Sequence, residues 1–338
     1  MYAHYFLISS RWSTKKSEKT KCLVCPHYCL LKKYQIGLCR SYINIDNKLY
    51  NMIRIDNLLY EVALVEKVHF FHFWPGHKVL CLQYVDKNVG NCGLETNLNN
   101  LTKVDAGNLR DEIIGIFFVL DALDLNNMLP DFFLRILSYP KINNLRILVQ
   151  SDGLLNVSVF DDILKHVDGV NIRLFGYSNS IYRKIFGYAR GFDRVIELVN
   201  LVVQKKKHLE LSYLAIEDIN TDVNKFSKFI EKLLDLCGKE VPLHILRISS
   251  RFRHVIKKPT SNKILRKLWK IAFGLGLLYP YLDDFYIAKE NNTFCPESNK
   301  RHFIVIERYG PWIKSYDKEN MCLSKIPIVG KIRKSWII

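Results

Sequence analysis

The chain has 338 residues, 49% of them hydrophobic, enough for one large domain or a core domain with small additions. No run approaches 18 apolar residues, which excludes an expected transmembrane helix. With 50 Lys and Arg against 33 Asp and Glu the formal net charge is +17; this admits RNA, DNA or an acidic protein as partner, while its dispersion also fits a lysine-rich background composition.

Residues 1–20 have no clear period and are expected to be a loosely held leader. The first of them, MYAHYFLISSRW, are too short and too aromatic for a signal peptide, so a cytoplasmic protein is expected. Four of the nine cysteines follow: Cys22-x2-Cys25-Pro-His-x-Cys29, then Cys39. Such spacings let one tight turn aim two sulfurs at a metal, and a later cysteine completes a tetrahedron. Zinc and an iron–sulfur cluster both suit four thiolates, and His27 can replace one of them; the simpler alternative is a set of reduced buried cysteines. Gly37 permits the turn before Cys39. Residues 21–76 read as a Cys-rich N-terminal extension, with short strands of a hairpin in 41–69.

The stretch from Phe70 to Asn97 is expected to organise the rest. FFHFWPG closes in a turn, 78–85 reads as a buried strand, and a Gly- and Asn-rich loop follows. Strand candidates continue at 113–120, 145–150, 168–175, 208–216, 242–249 and 284–288. Helical patterns lie between them, near 128–138, 157–166, 179–205, 221–237 and 261–275. This alternation predicts an α/β fold with parallel strands and crossover helices, an open or closed (β/α) barrel over 77–290. Its working face would lie at the strand C-termini. Basic density rises at Lys15, Lys16, Lys19 and Lys21. It rises again between Arg247 and Lys270, through Arg251, Arg253, His254, Lys257, Lys258, Lys263, Arg266 and Lys267, so nucleic acid is a candidate partner. Residues 291–338 form a tail, ending in a basic, aromatic KIRKSWII.

FFHFWPGHKVL resembles the segment that leads into the iron–sulfur loop of radical S-adenosylmethionine (SAM) enzymes, in particular the AmmeMemoRadiSam-system proteins related to pyruvate formate-lyase activating enzymes. The landmarks run in the same order: the cysteine leader, FHFWPG, NIRLFG, VPLH, FCP and IERYG. The resemblance implies a partial TIM-like barrel with a Cys-rich N-terminal extension and a zinc-ribbon-like tail. In that family three thiolates of C-x3-C-x2-C hold a [4Fe–4S] cluster whose fourth iron binds SAM. Those positions fall here on Lys87, Asn91 and Leu94, and a shifted register recovers only Cys92. The departure argues against SAM binding.

Further correspondences rest on the same resemblance. Asp121 falls at a glutamate of the motif that binds the SAM amino group. Ser151, Asp152 and Gly153 match a Thr-Asn-Gly, although Asp-Gly is also an ordinary turn. Arg173 replaces an acid and Phe175 a lysine. Glu210 stands at the family's strand glutamate, and His244 and Arg247 belong to a Pro-Leu-His-x-x-Arg strand; His244 reads equally as a hydrogen-bonded core histidine. Cys295 and Cys322 remain of two C-x2-C pairs, with Ser298 and Lys325 at the lost positions, as free thiols or a disulfide. Three functions stay open: a degenerate homologue acting on a small anionic ligand or an acidic protein, an active enzyme with its cluster on Cys22, Cys25 and Cys29, and a nucleic-acid-binding protein.

Overall fold

A computed structural model describes residues 6–53, 58–84, 113–122, 129–139, 144–247, 259–282, 289–296, 304–309, 312–315 and 322–333. The chain divides into two compact units, one of Met1–Ala63 with Lys78–Asp168, the other of Leu64–His77 with Gly169–Ile338.

The first unit begins with three-stranded antiparallel sheets. β1 (Phe6–Ser9) pairs with β6 (Lys48–Ile53), which pairs with β5 (Tyr42–Ile45). β2 (Ser13–Lys16), β3 (Lys19–Cys22) and β4 (Leu30–Leu31) form the other sheet. Residues 6–9 and 13–16, in the stretch expected to be loosely held, are therefore strands. Trp12 between them is buried and donates its indole N–H to Asp162 at 3.2 Å. The hydrophobic signal was too short for periodicity to register, because each strand has only four residues.

The same unit carries β7 (Leu58–Leu64), β8 (Lys78–Tyr84), β9 (Ile113–Val119) and β10 (Arg146–Ser151), adjacent in that order. β8, β9 and β10 are parallel, with Leu80 beside Ile116 and Ile147 beside Ile116. Gly115 lies where the backbone of Arg146 comes too close for any Cβ. Helices α1 (Pro130–Leu137) and α2 (Val157–Leu164) complete the unit. Proline in the first turn of α1 costs no helical hydrogen bond, since that N–H has no acceptor there.

The second unit repeats the alternation. β11 (Gly169–Leu174), β12 (His208–Ala215), β13 (Leu243–Arg247) and β14 (Pro280–Tyr281) are parallel neighbours in sequence order. Connecting them are α3 (Asn179–Phe186), α4 (Gly191–Gln204), α5 (Val223–Cys237) and α6 (Asn262–Gly274). The single helix expected over 179–205 is two, because Gly187 takes φ 74° and ends α3 with a left-handed cap. The eight strands β7–β14 give the chain its mixed α/β character, but in neither unit do they close on themselves. The strand expected at 284–288 lies outside the described residues, and the last strand is the two-residue β14.

The tail of this unit forms a small antiparallel sheet of β15 (Thr293–Phe294), β16 (Ile304–Tyr309) and β17 (Trp312–Ser315). Cys295 and Cys322 are joined in a disulfide, one of the two states the sequence left open for them. Around it Phe71, Tyr279, Tyr281, Val305, Ile306 and Ile326 form a buried cluster. Val329 pairs with Phe73, and Trp74 N–H donates to Val329 O at 2.7 Å.

Candidate functional site

In the first unit the four cysteines of the leader converge. Cys22 closes β3, and its backbone N–H donates to Cys29 O at 2.9 Å, folding 22–29 into a knuckle. Gly37 N–H donates to Tyr42 O and Arg40 N–H to Gly37 O, which forms the second turn and delivers Cys39. A Cβ on Gly37 would stand 3.8 Å from Cys29 Sγ and 3.9 Å from Cys39 Sγ, in ordinary contact with both sulfurs, so this turn lies against them. Cys22, Cys25, Cys29 and Cys39 line one cavity of about 20 Å³ with His27 and Tyr42. None of the four is in a disulfide.

Burial pushes the Cys22 thiol well up, and the nearby sulfurs of Cys25, Cys39 and Cys29 add to it. Burial also raises Cys39, against backbone N–H bonds from Ser41 and Tyr42 that favour its thiolate. A cation in the cavity would reverse this balance, because a bound metal deprotonates the thiols it touches. Among the described residues no three His, Cys, Asp or Glu side chains are arranged to grip an ion as they stand. The room available nonetheless fits one atom-sized occupant. Cys22, Cys25, Cys29 and Cys39 are the residues of this cavity that could ligate a metal.

The strand-end residues singled out in the sequence are placed as follows. Lys87, Asn91, Cys92 and Leu94 lie outside the described residues. At the ends of β9 and β10, Asp121 Oδ1 accepts Asp152 N–H at 2.7 Å and Asp152 Oδ2 accepts Ala122 N–H at 3.0 Å. Asp152 Oδ1 also accepts Leu154 N–H at 2.9 Å, and Ser151 Oγ accepts Gly153 N–H at 3.2 Å. Asp121, Ser151 and Asp152 are all buried. They act as a reciprocal backbone clamp between two strand ends, and Gly153, at φ 70°, makes the turn.

Glu210 and His244 are brought together, and neither faces solvent. On β12, His208, Glu210 and Ser212 share one face by the two-residue period of a strand. Glu210 Oε1 accepts His72 N–H at 2.8 Å and pairs with His208 Nε2 at 2.9 Å. Its Oε2 accepts Phe71 N–H at 2.9 Å and pairs with His244 Nε2 at 2.8 Å. Burial acts to raise this carboxyl, but the hydrogen bonds from His208 and His244 outweigh it and hold Glu210 well below the usual carboxylate range. Four donors on two oxygens leave the carboxylate little capacity for a ligand. Asn171 adds a further tether, donating to His69 O at 3.0 Å and accepting Ser212 Oγ–H at 2.9 Å.

A polar chain continues from there: His72 Nε2 to Tyr281 Oη at 2.7 Å, then to Thr293 Oγ1 at 2.9 Å. The buried Arg308 donates to Thr293 Oγ1 at 2.8 Å, Asn291 O at 3.0 Å and Phe71 O at 2.9 Å, with its guanidinium 4.2 Å from the Phe71 ring centroid. Burial pushes His72 down to about 3, so its ring is neutral. His72, His208, Tyr281 and Arg308 were not among the residues the sequence singled out. The i, i+2 pair His208 and Glu210 was a visible signal for one of them. Arg173 is half-buried on β11, in register with Ser212 of β12. Arg247 donates to Asn262 Oδ1 at 2.5 Å on the surface. Of the second basic stretch, residues 251–258 lie outside the described residues, while Lys263, Arg266, Lys267 and Lys270 fall on α6 and Arg266 pairs with Glu290.

No family profile matches the chain. It is similar to an uncharacterized protein of Methanocaldococcus jannaschii, 22% identical over 316 residues that cover 86% of this chain and 88% of the other. Among solved structures it is similar to a domain of pyruvate-formate lyase-activating enzyme from Bacteroides vulgatus, with TM-score 0.38, 15% identity, and 45% of this chain and 89% of that one covered. It is also similar to archaeal TYW1, with TM-score 0.37, 13% identity, and 80% and 87% covered. No helix among the described residues is long and apolar enough to cross a membrane.

Proposed function

We propose that the chain is a radical SAM-like protein that has lost SAM-cleaving chemistry. It keeps a structural metal at Cys22, Cys25, Cys29 and Cys39 and works as a ligand-binding or regulatory protein. The observation that carries this reading is the commitment of the strand-end side chains. Asp121, which the sequence resemblance puts in the motif that binds the SAM amino group, spends its carboxylate on Asp152 N–H, and Ser151, Asp152 and Glu210, at other landmarks of the resemblance, likewise accept N–H groups of the chain's own backbone. Lys87, Asn91 and Leu94 in place of three thiolates support it further. Reductive cleavage of SAM needs an open iron and an electron, and those three side chains bind no iron.

The test is metal content with a visible spectrum on protein purified without oxygen, followed by a calorimetric titration with SAM. About one zinc per chain, no band near 400 nm and no heat with SAM are expected. About four irons, a broad band near 400 nm and SAM binding would overturn the proposal and restore the reading in which the N-terminal cysteines carry a working cluster.

A further inference from the structure

The second unit holds a cavity that none of the sites above uses. It lies at the C-terminal ends of β11 and β12, where α3 and α5 begin, and measures about 530 Å³. Ligands of α/β folds bind outside the carboxyl ends of parallel strands, and this volume is in the range of small-molecule sites.

One wall is cationic. Lys225, Lys228 and Lys232 line the cavity at i, i+3 and i+7, on one face of α5. Like charges on one helix face destabilise it by a few tenths of a kcal/mol per pair, so the arrangement favours an anion between them. Asp222 caps α5 by accepting Lys225 N–H at 2.9 Å, and Asp193, which pairs with Arg190 at 3.2 Å, offsets part of the charge of Lys232. Lys232 Nζ stands 5.0 Å from the Phe192 ring centroid, which holds that ammonium at the cavity.

The facing wall carries hydroxyls. Ser178 precedes α3 but does not cap it through its side chain; its Oγ meets Ser180 Oγ at 2.8 Å instead. Both line the cavity beside Tyr177. The first N–H groups of α3 point the same way along the helix axis and add positive potential. The floor is apolar, made of Phe192, Phe229 and Ile181.

Three ammonium groups and paired hydroxyls match the several oxygens of a phosphate or diphosphate. Aromatic rings beneath them match a flat or apolar body. We propose that this cavity binds a small organic phosphate of nucleoside-diphosphate size, its phosphates on Lys225, Lys228 and Lys232 and its ring over Phe192 and Phe229. The proposal stands apart from the identity of the metal at the cysteine cavity.

The full chain, with its metal, is titrated calorimetrically with ADP, adenosine and pyrophosphate at low and moderate salt. ADP is expected to bind at least about tenfold more tightly than either half, and more weakly as salt rises. In a K225Q/K228Q/K232Q variant its affinity is expected to fall at least about tenfold, while thermal midpoint and metal content stay those of the parent. All three lysines are exposed, so the variant should fold. Absence of ADP binding at millimolar concentration, equal affinity for adenosine, or equal affinity in the triple variant would overturn the proposal. So would an acidic peptide that binds through these lysines while ADP does not.

Discussion

Glu210 and Arg308 grip the same turn of backbone from opposite charges. The carboxylate accepts the N–H groups of Phe71 and His72, and the guanidinium donates to Phe71 O. The aromatic segment that organises the chain is therefore held by its main chain, while its rings fill the surrounding core.

Replacing Glu210 with Gln keeps the size but turns one acceptor oxygen into a donor NH2. Two of four buried donors would then face a donor. Glu210→Gln is expected to lower unfolding free energy by about 3 kcal/mol in urea titration. Metal content should be unchanged, since the cysteines and this network belong to different units.

Acid should open the same network. His72 titrates near 6.5 when unfolded, but burial pushes it down to about 3 in the fold. Its contribution is complete above pH 6.5 and is lost as pH falls toward 3, because the unfolded chain takes the proton first. The carboxyl of Glu210 is held low and acts in the same direction at still lower pH. Between pH 7 and 4.5 the His72 contribution is about 2–3 kcal/mol. Urea midpoints at the two pH values should show it, and His72→Gln should reduce the drop by a similar amount. An equal drop in both proteins would rule His72 out as its source.

The disulfide between Cys295 and Cys322 closes a loop across 27 residues. Loop-closure entropy sets its worth at about 3 kcal/mol. A C295S/C322S variant should lose about that much, and reductant should destabilise the parent but not the variant. Thiol titration of the unfolded, unreduced protein should fall two short of its nine cysteines.

Gly330 has φ 85°, and a Cβ there would overlap the indole of Trp74. Gly330→Ala is expected to cost about 2 kcal/mol through strain and displacement of the ring. Tryptophan emission should shift to longer wavelength. An unshifted spectrum with parental stability would mean that the tail does not seat against Trp74.

Much of this fold was legible because apolar runs such as IIGIFFV and RILVQS read as buried parallel strands by length and β-branching alone. The cysteine cavity was legible from spacing, since short cysteine separations dictate a tight turn. The clamp was not. Glu210 and His244 were noticed as candidate ligand contacts, yet what they touch depends on the path of residues 69–72, which are 138 and more positions away in sequence. The break at Gly187 was visible as a Phe-Gly step inside a helical pattern, but residues on both sides keep helical periodicity. Likewise β1 and β2 owe their existence to partners rather than to their own pattern: Phe6–Ser9 becomes a strand because Tyr50 to Ile53 offers it an edge.

The contact between Arg308 and Phe71 spans 237 residues, and this matters while the protein is being made. At roughly 5–20 residues per second, the ribosome delivers Phe71 roughly 10–50 s before its last anchor exists. During that interval the aromatic run FFHFW has no lid, and its exposed rings invite association with other nascent chains or with a chaperone. A chain stalled short of Arg308 would hold this turn by Glu210 alone, without the guanidinium that caps Phe71 O.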